Sequence, residues 1–172
     1  GSFCGVYVAK PTHGLVSRGG VLTLSRTLDH VGPFARSLDD IALALDVIAG
    51  HDPADEDTRP LALSRFRAIA GEDFPVAPRF AFVRTPVWDK ADAQTRSAFE
   101  KLAAQLGEFC MPVELPDRYA AAWEAQRAVM AAEMAFNLGA VVDKGGEAVS
   151  KVLRDLVSEG RKVSGPRYLA AL

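Results

Sequence analysis

The chain has 172 residues, 49% of them hydrophobic and 24% charged, with 20 Lys and Arg against 22 Asp and Glu and a net charge of -2. That length sets a prior of one domain able to bury roughly 70% of the surface its unfolded chain would expose, and the balance is that of a globular rather than a disordered or fibrous protein. With its basic residues scattered among acidic ones, the chain offers no phosphate-binding face, which argues against direct nucleic-acid binding. Its best apolar run, Ile41 to Ala49, is broken by Asp46 and too short to cross a bilayer.

The chain opens on SFCGVYVAKPTHG. Phe3, Val6 and Val8 predict a buried strand, and Lys10-Pro11-Thr12-His13-Gly14 the turn that ends it. A loop and short strand are expected around Val21, Leu22 and Leu24. Ser37 then caps a helix, answered three residues on by Asp40, with Ile41, Leu45 and Ile48 on one face and Gly50 as the stop. Residues 51–78, rich in Asp and Pro, predict a long surface connection with a short helix from Leu63 to Ala70.

Arg79 to Val83 predicts a strand. Asp92 caps a helix whose Phe99, Leu102, Ala103 and Leu106 share a face, Gly107 closes it, and Phe109 to Leu115 is a second strand. A strand, a crossover helix and a strand favour parallel pairing with a right-handed connection. A longer helix follows from Asp117 to about Leu138, with Trp123, Met130, Met134 and Leu138 on one face. Another runs from about Gly146 to Gly160, with Val149, Val152, Leu153 and Leu156 inward. Ser164 caps a last helix with Pro166 in its first turn, and both ends of the chain read as cut edges. The fold class expected is α/β, a mixed sheet flanked by helices.

The chemistry-bearing residues, taken alone, name no reaction. No G-x-S-x-G is present to place a nucleophile on a tight turn. His13, His30 and His51 stand apart in sequence, and the carboxylate of Asp29 beside a turn is expected to satisfy backbone donors. Residues 52–57 lack the alternating oxygen ligands, central glycine and distal glutamate of an EF-hand, and read as a solvated loop. Arg18-Gly19-Gly20 offers an anion cradle without the glycine spacing that holds a nucleotide. Cys4 and Cys110 read as two reduced core thiols, and no residues at metal-ligand spacing occur.

Two stretches carry a resemblance. SFCGVYVAKPTHGLVSRGGV and SRTLDHVGPFARSLDDIALALDVIAGHDPADEDT closely resemble the amidase signature family, with its S-F-C-G-V-x-G-x-K-P-T and D-x-x-G-P-x-x-R-S-x-x-D segments. FAFVRTPVWDKADAQTRSAFEKLAAQLGEF, VELPDRYAAAWEAQRAVMAAEMA and VSGPRYLAAL are similar to later parts of that family, in the right order. The departures are Val8 where the family usually has Gly, and Ala9 where it has a large apolar residue.

The resemblance implies an incomplete part of the amidase signature fold, a single partial domain over residues 1–172 with residues 51–78 as a surface connection inside it. It implies a parent enzyme that hydrolyses a small carboxylic amide to acid and ammonia through a Ser-Ser-Lys triad, without a cofactor or metal, in the cytoplasm. All three triad residues are expected upstream of this chain, so that no catalytic residue lies within it and the 172 residues alone are inactive. Ser2 matches a position beside the nucleophile motif, and Lys10 matches the lysine of K-P-T, which is distinct from the catalytic one. The helix from Asp117 to Leu138 is expected to border the substrate pocket, with Gln126 or Arg127 at the matching depth. The alternatives are an A-subunit of a glutamine-dependent aminoacyl-tRNA amidotransferase, which requires a B-subunit partner, and a non-catalytic binding or assembly remnant of the fold. No direct nucleic-acid or membrane partner is implied, and a homo-oligomer is compatible with the resemblance.

Overall fold

The computed structural model describes residues 1–62 and 65–172, which form two compact units: residues 1–72 with 127–172, and residues 73–126.

In the first unit the opening stretch is a 3-10 turn over Ser2–Cys4, not a strand. The Gly1 carbonyl accepts from the amides of Cys4 and Val6, and Gly5 leaves the turn with φ 61, a conformation that favours glycine. Phe3 and Cys4 therefore face solvent instead of filling a core, and only Tyr7–Val8 (β1) is extended. β1 pairs antiparallel with Phe34–Ala35 (β2), Tyr7 opposite Ala35 and Val8 opposite Phe34. The strand expected around Leu22 is also absent. There the carboxylate of Asp29 accepts from the amides of Leu24 and Ser25 at 2.8 and 3.0 Å, which gives those donors a partner other than a ladder.

Helix α1, Leu38–Ile48, starts as its capping box requires: Ser37 Oγ accepts from the Asp40 amide at 3.1 Å. Ile41 and Leu45 bury against Val16, with Phe66 packed alongside. Helix α2, Phe66–Ala70, is the described part of the predicted Leu63–Ala70 helix; Leu63 itself lies outside the described residues. The α2 amides of Phe66 and Arg67 are capped from a distance by Asp46 of α1.

The second unit follows its sequence closely. β3 (Phe80–Val83) and β4 (Cys110–Val113) pair in parallel across helix α3 (Ala93–Leu106), and Asp92 caps α3 by accepting from the Thr95 amide at 2.7 Å. Phe82, Trp88 and Phe99 stack edge to face in sequence. Cys110 is half-buried.

The long helix begins as a 3-10 turn over Asp117–Ala121 and becomes α4 over Ala122–Gly145. It runs past the expected end at Leu138 and carries Val142 into the core; along this extension Arg161 donates to the Gly139 carbonyl and, at 2.7 Å, to the Asp143 carboxylate. Met134, Leu138 and Val142 form one core with Val157 of α5, Lys151–Gly160, and Met130 packs beside them. Trp123, expected on this stripe, lies in the second unit, half-exposed beneath the Lys90 ammonium.

Helix α5 starts later than predicted, because Ser150 rather than a residue near Gly146 supplies the cap. Its buried face then runs through Leu153, Leu156 and Val157, and Val152 turns outward. Helix α6, Gly165–Ala171, is capped by Ser164 and carries Pro166 in its first turn, as its sequence predicts.

Candidate functional site

The polar side chains of the first unit gather around two centres. At the first, Arg18 reaches across to the loop after α1. Its amide donates to Asp55 Oδ2 at 2.8 Å, its guanidinium grips Asp55 and Asp57, and another of its nitrogens donates to the Arg26 carbonyl at 2.5 Å. Arg26 completes the ring with contacts to Asp57 at 3.0 and 3.1 Å. Pro53, Ala54 and Glu56 are exposed, as expected of a solvated loop, but Asp55 turns inward and is buried with Thr58 beside it. The carboxylates of Asp55, Glu56 and Asp57 bond arginines, that of Asp52 accepts from the Ser17 hydroxyl and the Ala54 amide, and the Thr58 hydroxyl accepts from the Asp52 amide while donating to the Asp55 carbonyl. Arg18, the expected anion cradle, already holds its anions. Its hydrogen bonds hold the Asp55 carboxyl well below the usual carboxylate range, and the Arg26 bond does the same for Asp57 against the opposing effect of burial.

The histidines are hydrogen-bonding residues. His13 and His30 meet edge to face with centroids 5.3 Å apart, one nitrogen of each ring sits on a carbonyl, His13 Nε2 on Arg26 and His30 Nδ1 on Leu28, and His51 Nδ1 lies 3.2 Å from the Thr58 hydroxyl. Gly14 has φ 76, and a Cβ there would lie 2.1 Å from the Asp57 carbonyl oxygen. The turn after β1 thus lies directly against the acidic loop.

The second centre is Glu133 on α4. Its Oε1 accepts from the Thr27 hydroxyl at 2.5 Å and the Tyr168 hydroxyl at 2.6 Å; its Oε2 accepts from the Ser25 hydroxyl at 2.5 Å and the Thr27 amide at 3.0 Å. Burial alone would raise the Glu133 carboxyl, but donors from Ser25, Thr27 and Tyr168 outweigh it and hold the group below its ordinary range. The same bond, with burial, pushes the Tyr168 phenol up.

A serine beside a carboxylate has the look of an activated nucleophile. Ser25, however, is 1% exposed and its carboxylate partner is engaged at both oxygens. An open hollow of about 450 Å³ lies beside the cluster, lined by Arg26, Glu133, Phe136, Asn137, Val163 and Tyr168. Its polar groups are committed to the protein, since Asn137 donates to the Leu24 carbonyl and Arg26 to Asp57 and Glu56.

Neither centre contains Ser2, Lys10, Gln126 or Arg127, the positions to which the resemblance draws attention. Ser2 lies in the exposed opening turn, and the Lys10 ammonium donates to the neighbouring Pro11 carbonyl. Arg127 is half-exposed and 3.5 Å from Glu159 of α5; Gln126, the residue before it, is exposed. Among the described residues no group of three or more His, Cys, Asp or Glu side chains is placed to hold a metal ion, and no helix is long and apolar enough to cross a membrane.

The amidase family profile matches residues 1–167. The chain belongs to the amidase family. Among curated relatives, this amidase-family chain is 42% identical over 117 residues to the A-subunit of the glutamyl-tRNA(Gln) amidotransferase of Deinococcus radiodurans, a match covering 64% of the chain and 24% of that protein. It thus spans about a quarter of the length of the curated relatives it matches.

Among solved structures, one described as a vestigial protein complex that reveals the origins of an s-triazine catabolic enzyme superposes with a TM-score of 0.84 at 25% identity, over 98% of this chain and 36% of that one. The 6-aminohexanoate cyclic dimer hydrolase superposes at 0.72 with 27% identity, over 98% of this chain and 38% of its own. The peptide amidase of Stenotrophomonas maltophilia gives 0.68 at 25% identity, over 97% and 39%. The α/β fold is therefore part of the amidase signature fold.

Proposed function

We propose that these residues are the part of an amide-hydrolysing enzyme that follows its nucleophile. The observation that carries this reading is the family match over residues 1–167, which begins at the SFCGVYVAKPT segment. In this reading a Ser-Ser-Lys triad lies upstream: a lysine held neutral acts through a bridging serine on the nucleophilic serine, and backbone amides hold the tetrahedral oxyanion. The substrate is a small carboxylic amide and the products are the acid and ammonia.

Residues 1–172 then form a single partial amidase domain, with residues 51–78 as a connection within it. Gln126 and Arg127 border the substrate pocket, the parent is cytoplasmic, and the 172 residues alone are inactive.

A second reading is favoured by the 42% identity to the A-subunit of a glutamyl-tRNA(Gln) amidotransferase. There the same chemistry releases ammonia for a partner protein, and the enzyme functions only with that partner.

Ammonia release from a simple carboxamide by the full-length protein that carries these residues is the test. Activity abolished by replacing the serine of a Gly-Gly-Ser motif just before Ser2 supports the reading, and turnover by the 172 residues alone that is lost in S2A overturns it. Co-purification of a second polypeptide, with turnover dependent on it, selects the amidotransferase reading.

A further inference from the structure

We propose that Glu133 is a positioning residue for amide hydrolysis, which rests on the amidase reading above: it anchors the Ser25–Thr27 turn, and through β2 and β1 that anchor sets the course of the chain leading back to the nucleophile.

Each carboxylate oxygen of Glu133 takes two donors, so the group's capacity to accept is spent on the protein and none is left for a ligand. Its donors come from segments more than a hundred residues apart in sequence, Ser25 and Thr27 being separated from it by 108 and 106 positions. The turn they belong to is stiff. The Ser25 carbonyl accepts from the amides of Leu28 and Asp29, and the Asp29 carboxylate returns to the amides of Leu24 and Ser25. Asn137, one turn along α4 from Glu133, holds the Leu24 carbonyl at 3.1 Å.

From this turn to β1 the links are backbone on backbone. A Cβ on Gly32 would lie 2.1 Å from the Ala9 carbonyl oxygen, so no side chain separates the two strands of chain. The Ala9 amide donates to the Pro33 carbonyl at 3.1 Å, and the β2–β1 register follows immediately. From β1 the Val6 amide bonds the Gly1 carbonyl. Hydrogen bonds and close backbone contacts have little compliance, so a shift at residues 25–27 passes to residues 7–9 and is not absorbed by repacking.

The base is firm as well. Glu133 precedes Met134, a core residue, and a Cβ on Gly160 would lie 1.9 Å from the Ala131 carbonyl oxygen, so α5 lies directly on α4.

The test has two arms. In the full-length protein that carries these residues, amide hydrogen exchange is compared between wild type and E133Q, which keeps the shape and removes the charge. Thr27 and Ala9 should both exchange at least about tenfold faster while Leu45 in the α1 core does not change. Faster exchange at Thr27 with none at Ala9 overturns the mechanical link, whatever the enzyme does.

In the full-length protein, kcat is measured per titrated active site. E133Q should lose about tenfold to a hundredfold in kcat, with KM within about threefold of wild type. A lower melting temperature with unchanged kcat per site means Glu133 only stabilises, and overturns the proposal. If E133Q does not fold, T27V, which removes one hydrogen bond, takes its place under the same criteria in both arms. Wild-type protein without amide turnover overturns the amidase reading and the role in hydrolysis with it, and the exchange arm reports separately on the link.

Discussion

The Arg18 guanidinium and the Asp55 carboxylate meet in a nearly dry contact, their side chains 12% and 8% exposed, although the residues stand 37 positions apart. The contact joins the turn after β1 to the loop after α1. Asp55 also accepts from the Arg18 amide, so the pair fixes backbone as well as side chain.

Removing the charge should therefore cost stability without disturbing the fold. D55N leaves Arg18 its bond to Asp57 but weakens the acceptors for one guanidinium and two amides, those of Arg18 and Asp57, and should destabilise the chain by about 2 kcal/mol. Urea unfolding monitored by far-UV circular dichroism, which follows the helices of the first unit, reads this, and a variant within about 0.5 kcal/mol of wild type would show that the contact contributes nothing net.

The same carboxylates set an acid limit. The Asp55, Asp57 and Glu133 carboxyls are all held below their ordinary values in the folded chain. A depressed folded-state pKa adds stability above the unfolded value and loses it as pH falls through the folded one. Stability should thus hold near neutrality and decline below about pH 4, the region of unfolded carboxylates. Unfolding free energies from pH 7 down to pH 2.5 should show the decline, with a shallower slope in D55N. An equal slope would mean that Asp55 does not contribute to the acid transition.

The close approach of α5 to α4 gives a steric prediction. In G160A the new Cβ would meet the Ala131 carbonyl oxygen at 1.9 Å and the Ala135 Cβ at 2.8 Å, both fixed parts of α4. The helices must part, which should cost about 1–3 kcal/mol and lower the thermal midpoint. G165A is the control, because nothing lies within 4 Å of that position.

The contrast between what was and was not legible in the sequence follows from distance along the chain. Ser37, Asp92 and Ser164 announce their helices because a cap and the amide it serves are neighbours in sequence. β3 and β4 were legible because both are short apolar runs flanking one amphipathic helix. The Arg18–Asp55–Asp57–Arg26 ring and the Glu133 cluster were not, because hydrogen bonds between residues 31 to 108 positions apart leave no periodic trace. Glu133 did leave a faint sign: with Asn137 it places two polar residues one helical turn apart beside the Met134–Leu138 stripe, in a stretch otherwise rich in Ala and Met. The opening stretch misled because its apolar residues suit a strand, whereas Gly5 and the Gly1 carbonyl make it a turn.

A helix start offers a cleaner measurement. S37A removes the acceptor for the Asp40 amide at the first turn of α1 and should cost about 1 kcal/mol. S37D keeps an acceptor there and should recover most of the loss. Equal stability of all three would mean that the first turn is held by the Ile41 and Leu45 contacts alone.

The final prediction separates Lys10 from the base that the proposed chemistry needs. A lysine that takes a proton from serine must be desolvated enough to lose its own, or sit beside another cation. Lys10 is exposed, and its ammonium donates to the Pro11 carbonyl at 3.3 Å. K10A in the full-length protein should therefore keep kcat within about threefold of wild type, and K10M likewise. A loss of about a thousandfold or more in both variants, the scale expected when a general base is removed, would place Lys10 in the proton path and overturn the assignment of that role to an upstream lysine.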